Sequence, residues 1–175
     1  DVYVVGNQIN DMISRGADGV IVDYYRTALE DQTTMKVRDE AAKHPNFEFA
    51  VMEDKENYRY AADPSAAEPE ARAARAQKIV ADVAYINSTY FSSPAYMRRN
   101  GRPVLFVFQD ESTVNWTLVR DGVRALGNPL LIFRNDFDHA AADGAFAWVD
   151  VCAADPISSL NDFYRRAKDH HGSLL

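Results

Sequence analysis

The sequence predicts an α/β protein in which parallel strands alternate with helices. Two observations carry this. Five short apolar runs, at residues 20–22, 47–52, 104–108, 130–133 and 145–149, show almost no alternation of polar and apolar side chains, the pattern of strands covered on both faces. Each run then leaves through charged or amide side chains: Asp23; Glu53 and Asp54; Gln109, Asp110 and Glu111; Arg134 and Asn135; Asp150. Segments of helical periodicity separate the runs, which implies right-handed crossovers between parallel strands. Two architectures satisfy this pattern. An open doubly wound sheet suits 175 residues, whereas a closed eight-stranded barrel typically takes about 250.

In chain order, Val5, Ile9, Met12 and Ile13 share one helical face, and Gly16 stands where a left-handed residue stops a helix. Val20-Ile21-Val22 is a strand because its branched side chains favour extended backbone, and Asp23, Tyr24 and Tyr25 form its polar tip. A polar loop then leads to Thr33 or Thr34, the expected caps of a short helix over 35–43 that His44-Pro45 closes. The second strand, 47–52, exits through Glu53, Asp54, Lys55 and Glu56. After a tyrosine-rich loop, Ser65-Ala66-Ala67-Glu68 has capping-box spacing and opens an alanine-rich helix with Ile79, Val83 and Ile86 as its stripe. Residues 87–103 mix aromatic, small and basic side chains without a helical period; Asn100-Gly101 marks a turn and Pro103 leads into the third strand. Thr113 is the expected cap of a helix that reaches Leu126 and stops at Gly127, and Asn128-Pro129 turns into the fourth strand. A fifth strand at 145–149 precedes a last helix, capped near Ser158 or Ser159, with Leu160, Phe163, Tyr164 and Ala167 on one face.

Composition narrows the function classes. With 47% hydrophobic residues the chain can fill one substantial core. A net charge of -7 argues against a general phosphate-backbone binder, so nucleic acid is not an expected partner. Cys152 is the single cysteine, which excludes an internal disulfide and a thiolate cluster built by one chain. No run of about 18 apolar residues offers a membrane span. The sequence begins at Asp1 without methionine, the expectation for a processed or partial product, and an extracellular or periplasmic location goes with it. No cofactor or metal is expected: His44 and His139 lack partners at ligand spacing, and His170-His171 reads as a terminal segment. Glycine-rich nucleotide loops, the G-x-S-x-G elbow and H-E-x-x-H are missing, and a response-regulator sheet would need an acidic pair after the first strand and a lysine after the last.

The strand exits make a plausible sugar site. Glycoside cleavage uses two carboxyl groups whose environments set different pKa values, and Asp23, Glu53, Asp54, Asp110, Glu111 and Asp150 are the acids available. Asp23, Glu53 and Asp110 are the candidate catalytic acids. Tyr24, Tyr25 and Trp148 can offer flat apolar faces to sugar rings, and Gln109, Arg134 and Asn135 can hydrogen-bond hydroxyl groups. Tyr85, Tyr90, Phe91 and Tyr96 read as a cover over the core, with a cleft lining as the alternative, and Arg72, Arg75 and Lys78 as a solvated helix face. Arg98, Arg99 and Arg102 offer either an anion contact or solubilising charge on a turn.

Three stretches carry a family resemblance. Gly16-Ala17-Asp18-Gly19-Val20-Ile21-Val22-Asp23-Tyr24-Tyr25, then Tyr90-Phe91-Ser92-Ser93-Pro94-Ala95-Tyr96-Met97 with Asn100-Gly101-Arg102-Pro103-Val104, then Ala147-Trp148-Val149, come in an order that resembles glycoside hydrolase families 71 and 99. The resemblance implies a TIM-type (β/α)8 barrel that cleaves α-linked glucans or mannose-containing glycans. It further implies that residues 1–175 form a single partial barrel domain, from the helix before its second strand to the helix after its sixth, lacking the first and the last two strands. Additional chain or another subunit would complete it. Family 99 enzymes carry their carboxylate pair late, on a segment like Asn-Glu-Trp with a second glutamate three residues after the first; no such segment follows Ala167, and Glu53 and Glu56 share the spacing but follow an early strand. The expectation is a glycoside hydrolase-like domain whose catalytic pair is absent from these residues, inactive on its own. The other reading is a noncatalytic carbohydrate-binding or structural domain with an open α/β fold.

Overall fold

The computed structural model describes residues 2–108, 111–136, 138–149 and 155–171, without the side chains of Val2, Glu111, His170 and His171. The elements are α1 (Val2–Ser14), β1 (Gly19–Tyr24), α2 (Ala28–Ala41), β2 (Glu48–Asp54), α3 (Glu68–Thr89), β3 (Arg98–Arg99), β4 (Arg102–Phe108), α4 (Trp116–Val123), β5 (Leu130–Arg134), β6 (Gly144–Phe146) and α5 (Pro156–His171), with one-turn 3-10 segments at Lys55–Asn57 and Glu111–Thr113. The strands lie side by side in the order β1-β2-β4-β5-β6, all parallel, and β3 pairs with β4 in the antiparallel sense. Spatial order therefore follows chain order. A doubly wound sheet reverses direction at a switch point, and this sheet does not.

The core shows the same winding from its packing. Phe49 and Val51 of β2, Leu105 and Val107 of β4, and Leu131 and Phe133 of β5 share one buried cluster with Val5 and Ile9 of α1, Ile79, Val83 and Ile86 of α3, and Trp116, Val119 and Val123 of α4. The alternate residues Ala50, Met52, Val104, Phe106, Leu130 and Ile132 form a second cluster on the opposite face. Helices thus cover one side of the sheet and an inner apolar layer lines the other, as in a barrel wall. The open doubly wound alternative does not survive this arrangement.

Several local expectations change. The loop after β1 is short, because Thr27, not Thr33 or Thr34, caps α2: its hydroxyl accepts from the Glu30 amide while the Glu30 carboxylate accepts from the Thr27 amide. Thr34 is buried within the helix. The cap of α3 is Ala67, whose amide donates to Glu70, and Ser65 instead bonds Asp63. Asn115 replaces Thr113 at the start of α4, and α4 ends at Val123, before a turn in which Gly127 has φ +81°. Asp155 accepts from the Ser158 amide at the start of α5. The fifth predicted strand is shorter than read, ending at Phe146.

Residues 87–103 resolve into the end of α3, a turn and the β3–β4 hairpin. Asn100 and Gly101 take φ of +52° and +76°, the doubly left-handed geometry of a two-residue hairpin turn. Tyr90, Phe91 and Tyr96 are buried, so the covering role holds and the cleft role does not. Tyr96 meets Phe49 and Phe91 edge to face at 5.1 and 4.8 Å, while its hydroxyl accepts from Val51 N and donates to Val104 O, tying β2 to β4. The arginines serve the loops. Arg72 and Arg75 donate to the Val114 and Thr113 carbonyls, Arg99 pairs with Glu48, and Arg102 reaches the Asn128 and Pro129 carbonyls. On the α3 basic face Arg72 and Arg75 are therefore loop clamps rather than solvated charge, and Lys78 pairs with Asp82 of the same helix.

Candidate functional site at the strand exits

Strand register decides which exit residues meet. Asp23 pairs with Met52, Met52 with Phe106 and Phe106 with Ile132, so Asp23 shares a row with the inner apolar layer. The next row, Tyr24, Glu53, Val107 and Phe133, points the opposite way, into the helix layer. Beyond it, Asp54 pairs with Phe108, and Arg134 pairs with Phe146, back on the inner face.

The inner face therefore gathers Asp23, Tyr25 and Asp54 at one side and Phe108, Arg134 and Trp148 at the other. Tyr25 donates its hydroxyl to Asp23 Oδ2 at 3.0 Å, which pushes the phenol up to about 12. Partial burial raises the Asp23 carboxyl above its ordinary value; the Tyr25 bond opposes this and the charge of Asp54 adds to it. Asp54 is 5% exposed and spends Oδ1 on the Glu56 amide at 2.8 Å, capping the turn that follows β2. At the far side the Arg134 guanidinium stacks 3.9 Å above the Phe108 ring, which meets Trp148 edge to face at 4.8 Å. Trp148 remains half-exposed and offers an open indole face. Asn135, with φ +54°, holds this corner: its amide donates to Phe146 O at 2.8 Å and its side-chain oxygen accepts from Trp148 N at 2.7 Å.

Two candidates fall elsewhere. Tyr24 is fully buried and donates its hydroxyl to Asp31, with Tyr90 bonding the same carboxylate at 3.2 Å, so it cannot present a ring to a sugar. Burial followed by the Asp31 bond drives its phenol upward. Glu53 lies on the helix side, away from Asp23, and neither of its oxygens has a hydrogen-bond partner among the described residues. Burial holds its carboxyl well above the usual range, and the neighbouring charge of Asp82 pushes the same way. Asp82, at 0% exposure, is held by Arg26 and Lys78. Gln109, Asp110 and Asp150, and the side chain of Glu111, lie outside the described residues.

Sequence reasoning missed Phe108 as a site residue and missed the Arg26, Lys78 and Asp82 group. A signal for the latter was present. Asp82 is three residues after Ile79 and four before Ile86, on the apolar stripe of α3, where a carboxylate requires partners. Among the described residues no group of three or more His, Cys, Asp or Glu side chains is placed to hold a metal ion, and no helix is long and apolar enough to cross a membrane.

A parallel sheet wound in one direction, with helices on its outer face and acids and aromatics at its inner exits, defines a segment of a (β/α) barrel. Neither a family model nor a curated protein matches the chain. Solved structures do: the GH99 endo-alpha-mannosidase from Bacteroides thetaiotaomicron matches with a TM-score of 0.66 at 16% identity, over 98% of this chain and 51% of that one. The same enzyme in complex with BIS-TRIS-propane matches with a TM-score of 0.63 at 16% identity, over 98% of this chain and 54% of that one. The chain spans about half the length of both, and its fold is that of a partial GH99 (β/α)8 barrel.

Proposed function

We propose that this chain is part of a glycoside hydrolase-like barrel that binds an α-linked polysaccharide or glycan at its inner strand exits. The observation that carries the reading is the inner-face arrangement itself, with a Tyr25-bonded Asp23 beside Asp54 on one side and the Phe108, Arg134 and Trp148 stack on the other. The likeness to the mannosidase supports it at the level of fold. Trp148 and Tyr25 supply flat faces for sugar rings, Arg134 donates to hydroxyl groups, and Asp23 is the acid whose environment favours holding a proton.

The test is titration of the protein with maltotriose and with an α-linked mannobiose, followed by Trp148 fluorescence and calorimetry. Trp148→Ala is expected to weaken binding roughly tenfold or more, the loss of one stacking face. In a protein that hydrolyses these sugars, Asp23→Asn is expected to lower kcat on the order of 100-fold with an unchanged unfolding midpoint. Absence of saturable sugar binding removes the reading. A location outside the cytoplasm goes with it, and recovery of the protein only in the cytoplasmic fraction of its cells would contradict that part.

A second reading, carbohydrate binding without cleavage, is favoured by one specific observation. Asp54 is nearly buried and committed to capping the turn, and Glu53 faces the helices, so the described carboxylates do not form a free pair around a common space. Sugar binding with no detectable hydrolysis selects this reading.

A further inference from the structure

We propose that the cavity between the β1 exit, the turn after β2 and α3 is a subsite for an anionic substituent on the glycan, a carboxylate, sulfate or phosphate. This rests on the carbohydrate reading above and specifies its substrate class. The cavity is a wide, open depression of about 400 Å³ lined by Tyr25, Arg26, Glu56, Asn57 and Lys78. Tyr25 connects it to the inner face, because the same side chain bonds Asp23.

The cations at this cavity are only partly committed. Arg26 and Lys78 each contact the buried Asp82 through a single nitrogen, yet their side chains keep 33% and 34% exposure against 0% for Asp82. A guanidinium has five N–H donors and an ammonium three, so both retain donors that no other described residue claims. Arg26 is fixed in place: its backbone sits at φ +52° and its guanidinium lies 4.7 Å from the centre of the Tyr85 ring.

Charge balance points to an anion. Glu53 lies beside Asp82 and Lys78, and burial followed by the charge of Asp82 holds its carboxyl well above the usual range, against the opposing pull of Asn57 and Lys78. Arg26 and Lys78 then share one carboxylate, that of Asp82, while Glu56 at the rim is engaged by Arg59 at 2.6 Å. The two cations share one carboxylate as direct partner, and an entering anion gives their remaining donors a second one.

Glu53 faces Asp82 and Lys78 of α3, Tyr24 of β1, and Asn57 of the turn, with Arg26 beyond Asp82 and Asp31 of α2 beyond Tyr24. Its ionisation at higher pH places a second carboxylate against Lys78. Anion affinity therefore falls as pH rises through the Glu53 titration.

The experiment is calorimetric titration of the whole chain with inorganic sulfate, phosphate and acetate at constant ionic strength, alongside the neutral α-linked mannobiose. One saturable sulfate site is expected, weakened tenfold or more in Lys78→Gln, where Arg26 still holds Asp82. Glu53→Gln is expected to keep at pH 8.5 the affinity that the unaltered protein shows only in mild acid. The order of acetate, sulfate and phosphate affinities identifies the substituent. Equal sulfate affinity in Lys78→Gln overturns the proposal. Should that variant fail to fold, an identical pH profile in Glu53→Gln overturns it instead. Sugar binding without any anion site removes the subsite and leaves the carbohydrate reading intact; an anion site without sugar binding supports the cavity and removes the carbohydrate reading.

Discussion

A carboxyl group enclosed as fully as Glu53 must find donors or keep its proton. In the unfolded chain Glu53 releases that proton near its usual value of 4.5, whereas burial and Asp82 raise the folded value. Between those two values the folded state binds more protons than the unfolded one, so the contribution of Glu53 to stability falls as pH rises from 4.5 toward the folded value. Glu53→Gln, which imitates the neutral acid, is expected to unfold at the same urea concentration as the parent near pH 4 and at a higher one at pH 8. A difference that stayed constant with pH would show that the carboxyl titrates alike in the folded and unfolded chain. The facing of Glu53 was not legible in the sequence, and the reason is physical. A strand buried on both faces has no alternation of apolar and polar side chains, so the parity that separates Glu53 from Asp54 leaves no trace in composition. Asp23 was legible, since it ends an uninterrupted apolar run and stands between it and two tyrosines.

At the level of elements, the α3–α4 contact depends on a residue with no side chain. A Cβ built at Gly122 would lie 2.6 Å from Val80 Cγ2 and 3.0 Å from Cγ1, and Val80 is branched at Cβ and cannot swing aside freely. Gly122→Ala is therefore expected to destabilise the protein by about 1–3 kcal/mol, although alanine is the better helix former by about 1 kcal/mol. Adding Val80→Ala should restore most of the loss, as measured by urea unfolding; no restoration would place the strain elsewhere. The strands were readable because continuous apolar runs are rare outside parallel sheets, and Ile79, Val83 and Ile86 were readable because they recur at helical spacing. Helix starts were not. Thr27-Ala28-Leu29-Glu30 carries a complete capping box, but it follows the aromatic tip of β1 so closely that the segment reads as loop. The two-residue β3 is too short to leave any periodic signal.

For the whole molecule, the sheet order predicts a gradient of protection. Strands β2 and β4 each have a partner on both sides, whereas β1 pairs only with β2 among the described residues and leaves Ile21 exposed. Amide hydrogen exchange is expected to be slowest in β2 and β4, whose cross-link through Tyr96 adds to the ladder, and faster in β1 and β6. Uniform exchange across the strands would contradict the sheet order. The barrel winding itself was only half legible: alternation of strands and helices announces a parallel sheet, but whether helices fall on one face or both depends on crossover direction, which no residue type records. The order β1-β2-β4-β5-β6 has one more consequence, for how the chain is made. Strands β2, β4, β5 and β6 each dock on a strand synthesised before them, so as the polypeptide emerges from the ribosome each of these units finds its template already in place.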